Sequence, residues 1–340
     1  MNYIYVIPGT YSPPTKMHNW LIEKAAEMFP RETIHIVCSI NPEKKPWFAP
    51  EECKIMWEES FDLPSNVKVT TLGEMLTVDF DYSKVIMIRG VRNSKESFEE
   101  EADVMLLNAE KYGITNFIHI VGNEKYAHIS SSKVRELAAE LRLEELSEYV
   151  PPLVISRLLE KVLEIKNLFL VIGKSGSGKS TYLKMLVNEN SQNVHINTDE
   201  FNKKLRPLLE ERFPNQNLVQ IAIEKEEEFL EIIRIPWINL LKKALQNLPK
   251  DSNAYVEIPY GLQDTKRFWN YLGGKVIYIG PKENEERIIE KRNKKRGTEY
   301  LLPLAQTIPG WNGTMELANK YNLRLMQINT GGNLKNLKTY

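Results

Sequence analysis

The sequence predicts an α/β protein of two domains, each with its own parallel sheet. Short apolar runs rich in β-branched residues alternate with helical patterns along the chain, which is typical of βαβ units. The chain has 340 residues, a length that corresponds to about two domains. A new βα unit opens near residue 168, close to the middle of the chain. We therefore expect a doubly wound fold in each half.

The first half contains five apolar runs that predict strands. They occupy residues 3–8, 33–39, 67–71, 84–88 and 117–121. Helical patterns at 21–28, 99–111 and 132–141 alternate with these runs. The order predicts a Rossmann-like domain over residues 1–165.

The second half follows a long amphipathic pattern at 153–163. Its predicted strands are 168–172, 194–197, 254–258, 275–279 and 324–328, and its helical patterns are 181–186, 220–233 and 284–295. No Gly/Ser-rich linker separates the halves, so we expect the helix itself to join them. The second α/β domain is predicted over residues 166–340.

Charge and cysteine content narrow the class of protein. Lys+Arg and Asp+Glu balance at 45 each, and a net charge of zero argues against a general nucleic-acid binder. Cys38 and Cys53 lack metal-ligand spacing, so we expect reduced thiols in a cytoplasmic protein. The N-terminus has no signal-peptide pattern, and no apolar stretch approaches the roughly 20 residues that span a bilayer.

A phosphate-binding loop is the most specific motif of the second half. Residues 173–180, GKSGSGKS, fit G-x-x-x-x-G-K-[ST] between an apolar strand and a helical segment. Such a loop points backbone N–H groups at the phosphates of a nucleoside triphosphate, which the motif leaves open as ATP or GTP. We expect Lys179 to reach the β- and γ-phosphates and Ser180 to bind Mg²⁺. The expected binding residues are Gly173, Ser175, Gly176, Ser177, Gly178, Lys179, Ser180 and Thr181.

Two acidic positions follow strands of this half. Asp199 lies where small-molecule kinases keep a carboxylate that activates the accepting hydroxyl. Asp199 or Glu200 could act as that base or bind Mg²⁺, and a helix N-cap is the alternative role. Glu257 ends another strand and is either a carboxylate near Mg²⁺ or a structural residue.

Arg287, Arg292 and Arg296 lie in the charged stretch RIIEKRNKKRG. This stretch resembles the lid of nucleotide-type kinases, whose arginines close over the transferring phosphate, and a solvated helix is the alternative. With Asp199 and the loop, this half resembles the P-loop superfamily of small-molecule and polynucleotide kinases. The resemblance implies phosphorylation of a hydroxyl, with ATP as substrate and Mg²⁺ as cofactor.

The segment GTYSPPTKMH, residues 9–18, lies where the first strand meets the first helix. Adenylyl transfer needs such a place, because its catalysis consists of aligning two phosphates and neutralising the charge of the transferring group. Further motifs follow in order: NPEKKPWF at 41–48, RGVR at 89–92, FEEE at 98–101, ISSSKVRE at 129–136 and YVPP at 149–152. Over about residues 2–160 the chain therefore resembles the phosphopantetheine adenylyltransferase family, a family of nucleotidyltransferases.

The resemblance implies a role for each matching residue. Thr10 and His18 would contact the ATP phosphates, and His18 would stabilise the α-phosphoryl transition state. Lys44 would bridge ATP and the phosphate of the acceptor, and Arg89 would bind the acceptor side or phosphates. The remaining site residues implied by the resemblance are Gly9, Arg92, Glu101, Tyr126, Ser130, Ser131 and Ser132.

Three residues depart from the family pattern. Ser12 stands where the family has Asp, and Lys16-Met17 stand where it has Asn-Gly. Loss of a glycine changes the backbone options of the loop, and the extra cation at Lys16 could alter the acceptor. Nucleotidyl transfer remains the expected reaction, and the departures leave the acceptor open.

The two halves together suggest consecutive reactions, as in bifunctional coenzyme A synthase. The first would transfer adenylate from ATP to 4′-phosphopantetheine, giving dephospho-coenzyme A and pyrophosphate, and the second would phosphorylate dephospho-coenzyme A. The kinase half departs from the dephospho-coenzyme A kinase pattern at GKSGSGKS and NTDEF, so this second acceptor is inferred from the first half. The adenylyltransferase family tends to form hexamers, which implies a homo-oligomer unless the second domain prevents that packing.

Other functions fit parts of the sequence. One is a nicotinamide mononucleotide adenylyltransferase joined to a ribosylnicotinamide kinase, although the RGVR and ISSS motifs favour the pantetheine family. The kinase half could instead act on pantetheine or on polynucleotide 5′ ends, and zero net charge weighs against the latter. A nucleotide-sensing regulator with degenerate sites is disfavoured by the intact His18, Arg89, Lys179 and Ser180.

Overall fold

The computed structural model of the protein describes residues 3–41, 45–77, 81–91, 94–258, 272–281, 284–302 and 310–330. The chain divides into two compact units, Met1–Val154 and Ile155–Tyr340. The described residues of each unit form one five-stranded sheet in which every strand pair is parallel. The predicted fold class is thereby confirmed.

The sheet of the first unit has its first strand at the centre. Its strands are β1 Ile4–Gly9, β2 Ile34–Cys38, β3 Val67–Thr71, β4 Val85–Val91 and β5 Asn116–Val121, in the order β3-β2-β1-β4-β5. After β3 the chain crosses to the other side of β1. In a parallel sheet, this reversal opens a crevice at the carboxyl ends of the two central strands. The crevice lies at the end of β1, where the GTYSPPTKMH segment begins.

Six helices are described in full within the first unit. They are α1 Lys16–Met28, α2 Pro50–Ser60, α3 Leu72–Leu76, α4 Lys95–Tyr112, α5 Ser131–Ala139 and α6 Leu143–Tyr149. The hydroxyls of Thr15, Ser94 and Ser130 cap the N-termini of α1, α4 and α5. Gly113, at φ +70°, ends α4 in the left-handed conformation that favours glycine. The three hydroxyl caps therefore fix the helix starts that follow β1, β4 and β5, on the crevice side of the sheet.

Helix α2 was not predicted from the sequence. One face of this helix is buried. Pro50 occupies its first turn, and Cys53, Met56 and Trp57 are buried at the spacing of one helix face. Cys53 and Cys38 are both free and buried. Burial raises the pKa of Cys38 to about 12 and raises that of Cys53 as well, so both side chains are inert thiols.

The second unit places its phosphate-binding loop after the central strand. Its strands are β6 Asn167–Ile172, β7 Asn193–Asn197, β8 Asn253–Glu257, β9 Lys275–Gly280 and β10 Arg324–Asn329, in the order β10-β9-β6-β8-β7. The strand β8 is the direct neighbour of β6. The carboxyl end of β8, at Glu257, therefore lies beside the loop that follows β6.

The helices of the second unit begin with α7, Pro152–Val162, which starts in the first unit. The others are α8 Lys179–Glu189, α9 Asp199–Arg212, α10 Leu218–Glu224, α11 Glu226–Gln246, α12 Glu285–Arg296 and α13 Trp311–Lys320. The single helix expected over 220–233 is wrong, because Lys225 adopts non-helical angles and separates α10 from α11. Glu226, Glu227 and Glu228 occupy the first turn of α11, where the helix dipole favours acidic residues. Among the described helices, none is long and apolar enough to cross a membrane.

The division between the units falls inside α7, whereas the sequence analysis placed it after residue 165. The part of α7 beyond Val154 is bonded to the second unit. The Ser156 hydroxyl accepts a hydrogen bond from Gly274 N at 2.9 Å. The Glu160 carboxylate accepts from Leu168 N at 3.0 Å and from Lys275 Nζ at 2.6 Å. The contacts with Gly274 and Lys275 join residues more than a hundred positions apart, so the periodicity of α7 could not reveal them.

Glu160 offers a stability test of the second unit. The side chains of Glu160 and Lys275 are only 7% and 5% exposed. Glu160→Ala would take the carboxylate from a buried ammonium, which would keep only the Asn167 amide oxygen, and would remove the side-chain acceptor of Leu168 N, so we expect a loss of about 3–5 kcal/mol in the free energy of unfolding. Unfolding of the full chain in guanidinium chloride measures this loss of free energy. Glu210→Ala, which breaks an exposed pair with Arg206 on α9, should leave that free energy unchanged, and equal losses in the two variants would contradict the assignment.

Candidate functional site

The loop between β1 and α1 is shaped by a tyrosine that folds back under it. Tyr11 has φ +45°, and its hydroxyl donates to the carbonyl oxygen of Ile7 at 2.8 Å. A Cβ atom on Gly9 would lie 2.6 Å from the Tyr11 ring, so this position requires glycine. The Tyr11 ring also meets the ring of His18 edge-on, at 5.1 Å between centroids. The loop therefore carries His18 on a buried aromatic support.

The histidine in the first turn of α1 is held through its Nδ1 atom by Thr15. The backbone N–H of Thr15 donates to His18 Nδ1 at 3.1 Å. Because Nδ1 is the acceptor, the neutral ring carries its proton on Nε2. Thr15 is also the N-cap of α1, and its hydroxyl accepts from the backbone N–H of His18. The helix N-terminus and the Nε2–H group together suit a negatively charged ligand.

The N-terminus of α5 is bonded to the same loop. The Ser131 hydroxyl donates to Pro13 O at 2.8 Å, and Arg135 Nη1 donates to Ser12 O at 2.6 Å. The Ser130 hydroxyl accepts from Lys133 N and caps the helix. The structure thus brings the ISSSKVRE motif, 129–136, against the GTYSPPTKMH segment, 9–18, although more than a hundred residues separate them.

Arg89 and Glu101 form a two-pronged ion pair at the end of β4. Arg89 Nε and Nη2 donate to the Glu101 carboxylate at 2.8 and 2.9 Å, and Nη1 donates to Pro8 O at 3.0 Å. Burial opposes the charge of Arg89, but the hydrogen bonds to Glu101 outweigh it and raise the pKa of the guanidinium. The pair joins α4 to the ends of β1 and β4. The ligand-binding roles of both residues stay predictions.

Two of the predicted site residues fall outside the described structure. Lys44 belongs to residues 42–44, and Arg92 to residues 92–93. Tyr126 is described, with its ring 6.3 Å from that of Trp20 and the Lys125 ammonium 5.3 Å from its centroid. It lies on the short segment between β5 and α5, beside the other site elements.

In the second unit, the phosphate-binding loop depends on glycine geometry. Gly173 has φ +144°, and a Cβ atom there would lie 2.2 Å from Ile279 O. Gly176 has φ +81°, and its Cβ would lie 2.6 Å from Asn293 Nδ2. No larger residue fits either position without displacing backbone or a buried side chain. The loop then enters α8 at Lys179.

The side chain of Lys179 folds back over the phosphate-binding loop, residues 173–180. Lys179 Nζ donates to Gly173 O at 2.7 Å and to Lys174 O at 3.2 Å. Burial lowers the pKa of Lys179, while the carboxylates of Glu257 and Asp199 act in the opposite direction. The cation is therefore held within reach of the space that the loop encloses.

Glu257 is hydrogen-bonded to α8, to β7 and to the residue that precedes α9. Its carboxylate accepts from Ser180 Oγ at 2.9 Å and is hydrogen-bonded to His195 Nε2 at 2.8 Å. The Thr198 hydroxyl donates to its backbone carbonyl at 2.6 Å. Burial would raise the pKa of Glu257, but the hydrogen bond from His195 and the charge of Lys179 outweigh it and lower that pKa. The carboxylate is therefore ionised beside Ser180.

These groups line a cavity of about 350 Å³ between the loop and the helices that follow β7. Its polar end holds Lys179, Ser180, Asp199, Glu257 and Arg296. Asp199 keeps much of its surface open, yet the surrounding protein atoms and the Glu257 carboxylate raise its pKa. A carboxylate whose pKa is raised in a cleft is suited to accept a proton.

The arginines of α12 occupy different positions. Arg292 Nη1 donates to Ser177 O at 3.1 Å, and Nη2 donates to Thr330 O at 2.6 Å, so this residue holds the loop from its carbonyl side. Arg296 lines the cavity, and Arg287 is exposed. Of the three, Arg296 is the one placed where a phosphate could meet it.

The comparisons with known proteins concern mainly the first unit. A sequence model described as Cytidylyltransferase-like matches residues 6–137. Phosphopantetheine adenylyltransferase of Heliobacterium modesticaldum is 34% identical over 160 residues, 46% of this chain and 92% of that protein. The same enzyme of Streptococcus gordonii is 32% identical over 163 residues, 47% of this chain and 96% of that protein. The chain belongs to the phosphopantetheine adenylyltransferase family.

Two solved structures extend over both units. A NadR protein in complex with NAD and AMP-PNP is 12% identical, covering 98% of this chain and 92% of that chain, with a TM-score of 0.34. A hexameric APS kinase from Thiobacillus denitrificans is 13% identical, covering 95% of this chain and 68% of that chain, with a TM-score of 0.28. Scores this low establish no shared arrangement.

Ser12, which departs from the phosphopantetheine adenylyltransferase pattern, has a structural role here. The side chain is fully buried, and its hydroxyl accepts from Trp47 N at 2.8 Å and from Phe48 N at 3.0 Å. It therefore holds the end of the NPEKKPWF segment, 41–48, against the first loop. A serine oxygen serves this purpose as a carboxylate oxygen would.

Lys16 and Met17, the other departures, are also engaged by protein atoms. Lys16 Nζ donates to Ser147 O at 2.6 Å, near the C-terminus of α6, and burial lowers its pKa. The Met17 methyl group lies 2.9 Å from the place that a Cβ on Gly122 would take. The structure thus gives Lys16 a partner in the protein, on the α6 side of α1.

His195 and Thr15 are the site residues that the sequence analysis missed. His195 lies in HINTDEF, but its contact with Glu257 depends on β7 being the neighbour of β8, which no local pattern reveals. Thr15 has a recognisable signal, a threonine directly before a helix. Its backbone bond to His18 Nδ1 could have been anticipated from that position.

Proposed function

We propose that the first unit transfers the adenylyl group of ATP to 4′-phosphopantetheine, giving dephospho-coenzyme A and pyrophosphate. Family membership supports the reaction, and the bond from Thr15 N to His18 Nδ1 is the observation that carries it. That bond leaves a proton on Nε2 at the N-terminus of α1, so the ring can donate to a phosphoryl oxygen.

The reaction needs no covalent intermediate with the protein. The acceptor phosphate attacks the α-phosphorus of ATP, the bond to the bridging oxygen breaks, and pyrophosphate leaves. His18, Thr10 and the backbone N–H groups at the starts of α1 and α5 would neutralise the charge that develops. Lys44 and Arg92 have the roles that the family resemblance implies.

We propose further that the second unit transfers the γ-phosphoryl group of ATP to a hydroxyl of a small molecule. Lys179, Ser180, Asp199 and Glu257 share one cavity, and this convergence supports the proposal. Ser180 and Glu257 offer hard oxygen atoms 2.9 Å apart, which suit Mg²⁺, an ion usually held by one or two protein groups together with phosphates. A bound Mg²⁺ would neutralise charge on the β- and γ-phosphates, and Asp199 would take the hydroxyl proton.

Product identification by mass tests the first reaction. The full chain receives ATP, Mg²⁺ and either 4′-phosphopantetheine or nicotinamide mononucleotide. Formation of dephospho-coenzyme A at the higher kcat/KM supports the proposal. Preferential formation of a dinucleotide from nicotinamide mononucleotide would replace it with the pyridine-nucleotide function.

His195 should act on phosphoryl transfer through Glu257. His195→Ala would release the second carboxylate oxygen, and we expect kcat/KM to fall by about 10–100-fold, with more Mg²⁺ needed for half-maximal rate. His195→Gln keeps an N–H donor and should recover part of the activity. The measurement is the rate of phosphoryl transfer by the unaltered chain and both variants across a Mg²⁺ titration. An unchanged Mg²⁺ requirement in His195→Ala would contradict this role of His195.

A further inference from the structure

The cavity of the second unit has an apolar end in addition to the polar residues at the phosphate-binding loop. Three consecutive helices form this end, which we call the apolar lobe. Its side chains are Leu205 and Leu209 of α9, Leu218 and Val219 of α10, and Phe229 and Ile233 of α11. Asp199, at the start of α9, lines the same cavity and lies on the helix that carries Leu205 and Leu209. A molecule whose hydroxyl meets Asp199 would therefore extend into the lobe.

Most side chains of the apolar lobe belong to the buried hydrophobic core of the second unit. Leu205, Leu209 and Ile233 are each 5% exposed, and Phe229 is 6% exposed. Behind them the rings of Phe201 and Trp237 pack edge-on at 5.8 Å. Side chains held in this way present a preformed apolar wall to whatever enters the cavity.

Charge is distributed unevenly along the cavity. Among the described residues that line it, the cations are Lys179 and Arg296, and Arg296 lies close enough to Lys179 to lower its pKa. Among the described residues around the lobe, the polar side chain is that of Asn202, and none of these side chains is charged. A diphosphate or a pyridinium ion placed in the lobe would lose its hydration without gaining a counter-charge there. An uncharged hydrocarbon group would instead gain from burial.

We propose that the alcohol phosphorylated by the second unit is uncharged and carries a branched apolar group next to its hydroxyl. This inference rests on the proposed phosphoryl transfer. Pantetheine has this chemistry, because its hydroxymethyl group is attached to a carbon that bears two methyl groups. Phosphorylation of that hydroxyl yields 4′-phosphopantetheine, the acceptor proposed for the first unit. The second unit would then supply the substrate of the first, and would not consume its product.

The step balances with the groups at hand. The hydroxyl oxygen of the alcohol attacks the γ-phosphorus of ATP, and the bond between that phosphorus and the β,γ-bridging oxygen breaks. ADP leaves, and the hydroxyl proton passes to the Asp199 carboxylate. The two methyl groups beside the reacting carbon occupy the lobe.

Competing acceptors test the inference on the full chain. With ATP and Mg²⁺ present, kcat/KM is measured for pantetheine, dephospho-coenzyme A and ribosylnicotinamide separately. We expect pantetheine to exceed the other two by at least about tenfold. An equal or higher value for either charged acceptor would overturn the inference and leave phosphoryl transfer standing. Phosphorylation of none of the three, by a chain that still transfers adenylate, would overturn both.

Two matched variants of α9 test the lobe directly. Leu209→Asn places an amide in the lobe and should raise KM for pantetheine by about 10–100-fold. Leu208→Asn alters a neighbour that is 42% exposed and should leave KM unchanged. Binding of a non-hydrolysable ATP analogue checks that the loop is intact, and Val219→Asn, at a half-buried position, replaces Leu209→Asn if that binding is lost. Equal KM values in the lobe variant and in Leu208→Asn would overturn the inference.

Discussion

Lys179→Ala should reduce phosphoryl transfer on the order of a thousandfold and leave adenylyl transfer unchanged. In the proposed phosphoryl transfer, the Lys179 ammonium is the cation that the loop brings to the phosphates, and it is buried with two loop carbonyls as partners. Alanine would remove the charge without altering the glycines that shape the loop. The lost charge is one that stabilises the transferring phosphoryl group more than the bound ATP, so the effect should fall mainly on kcat.

The measurement is transfer of the γ-phosphoryl group from ATP to an alcohol by the full chain. Lys184→Ala is the matched control, because Lys184 lies on the same helix and is exposed. It should retain full activity. A Lys179→Ala enzyme with near-normal kcat would show that the second unit does not use its loop for phosphoryl transfer.

His18→Ala should reduce adenylyl transfer by about 10²–10³-fold and leave phosphoryl transfer unchanged. The ring is held by the N–H of Thr15 on Nδ1 and by the edge of Tyr11, so its Nε2–H group has a fixed direction. Alanine removes that donor at the N-terminus of α1. The ground-state affinity for ATP should change less than kcat, because the donor acts on charge that develops during transfer.

Pyrophosphate release from ATP and 4′-phosphopantetheine measures this effect. Glu23→Ala, an exposed position on the same helix, is the control and should behave as the unaltered chain does. Unchanged pyrophosphate release by His18→Ala would place the adenylyl transfer elsewhere in the molecule.

Local pattern was sufficient to predict the strands but not their order in the sheets or the layout of the helices around them. Each strand is a short β-branched run, and its position follows from the residues themselves. The division within α7 depends on tertiary contacts, such as that of Glu160 with Lys275. Such contacts join residues that no sequence window contains together.

The same distinction holds for the sites. The loop that carries Lys179 and Ser180 could be located in the sequence because its motif is contiguous over eight residues. The pairing of Glu257 with His195 and Ser180 was not predictable, since it depends on which strands are neighbours. Arg292 and Arg296 lie one helical turn apart, yet one holds the loop and the other lines the cavity.

We propose that one chain carries two separate sites that act on different phosphorus atoms of ATP. The test supplies ATP labelled at both the α- and the γ-phosphorus, together with Mg²⁺, 4′-phosphopantetheine, pantetheine and dephospho-coenzyme A, so that neither reaction depends on the product of the other. The unaltered chain should transfer both labels, His18→Ala the γ-label alone, and Lys179→Ala the α-label alone. Loss of both labels in either single variant, or transfer of one label by the unaltered chain, would contradict it.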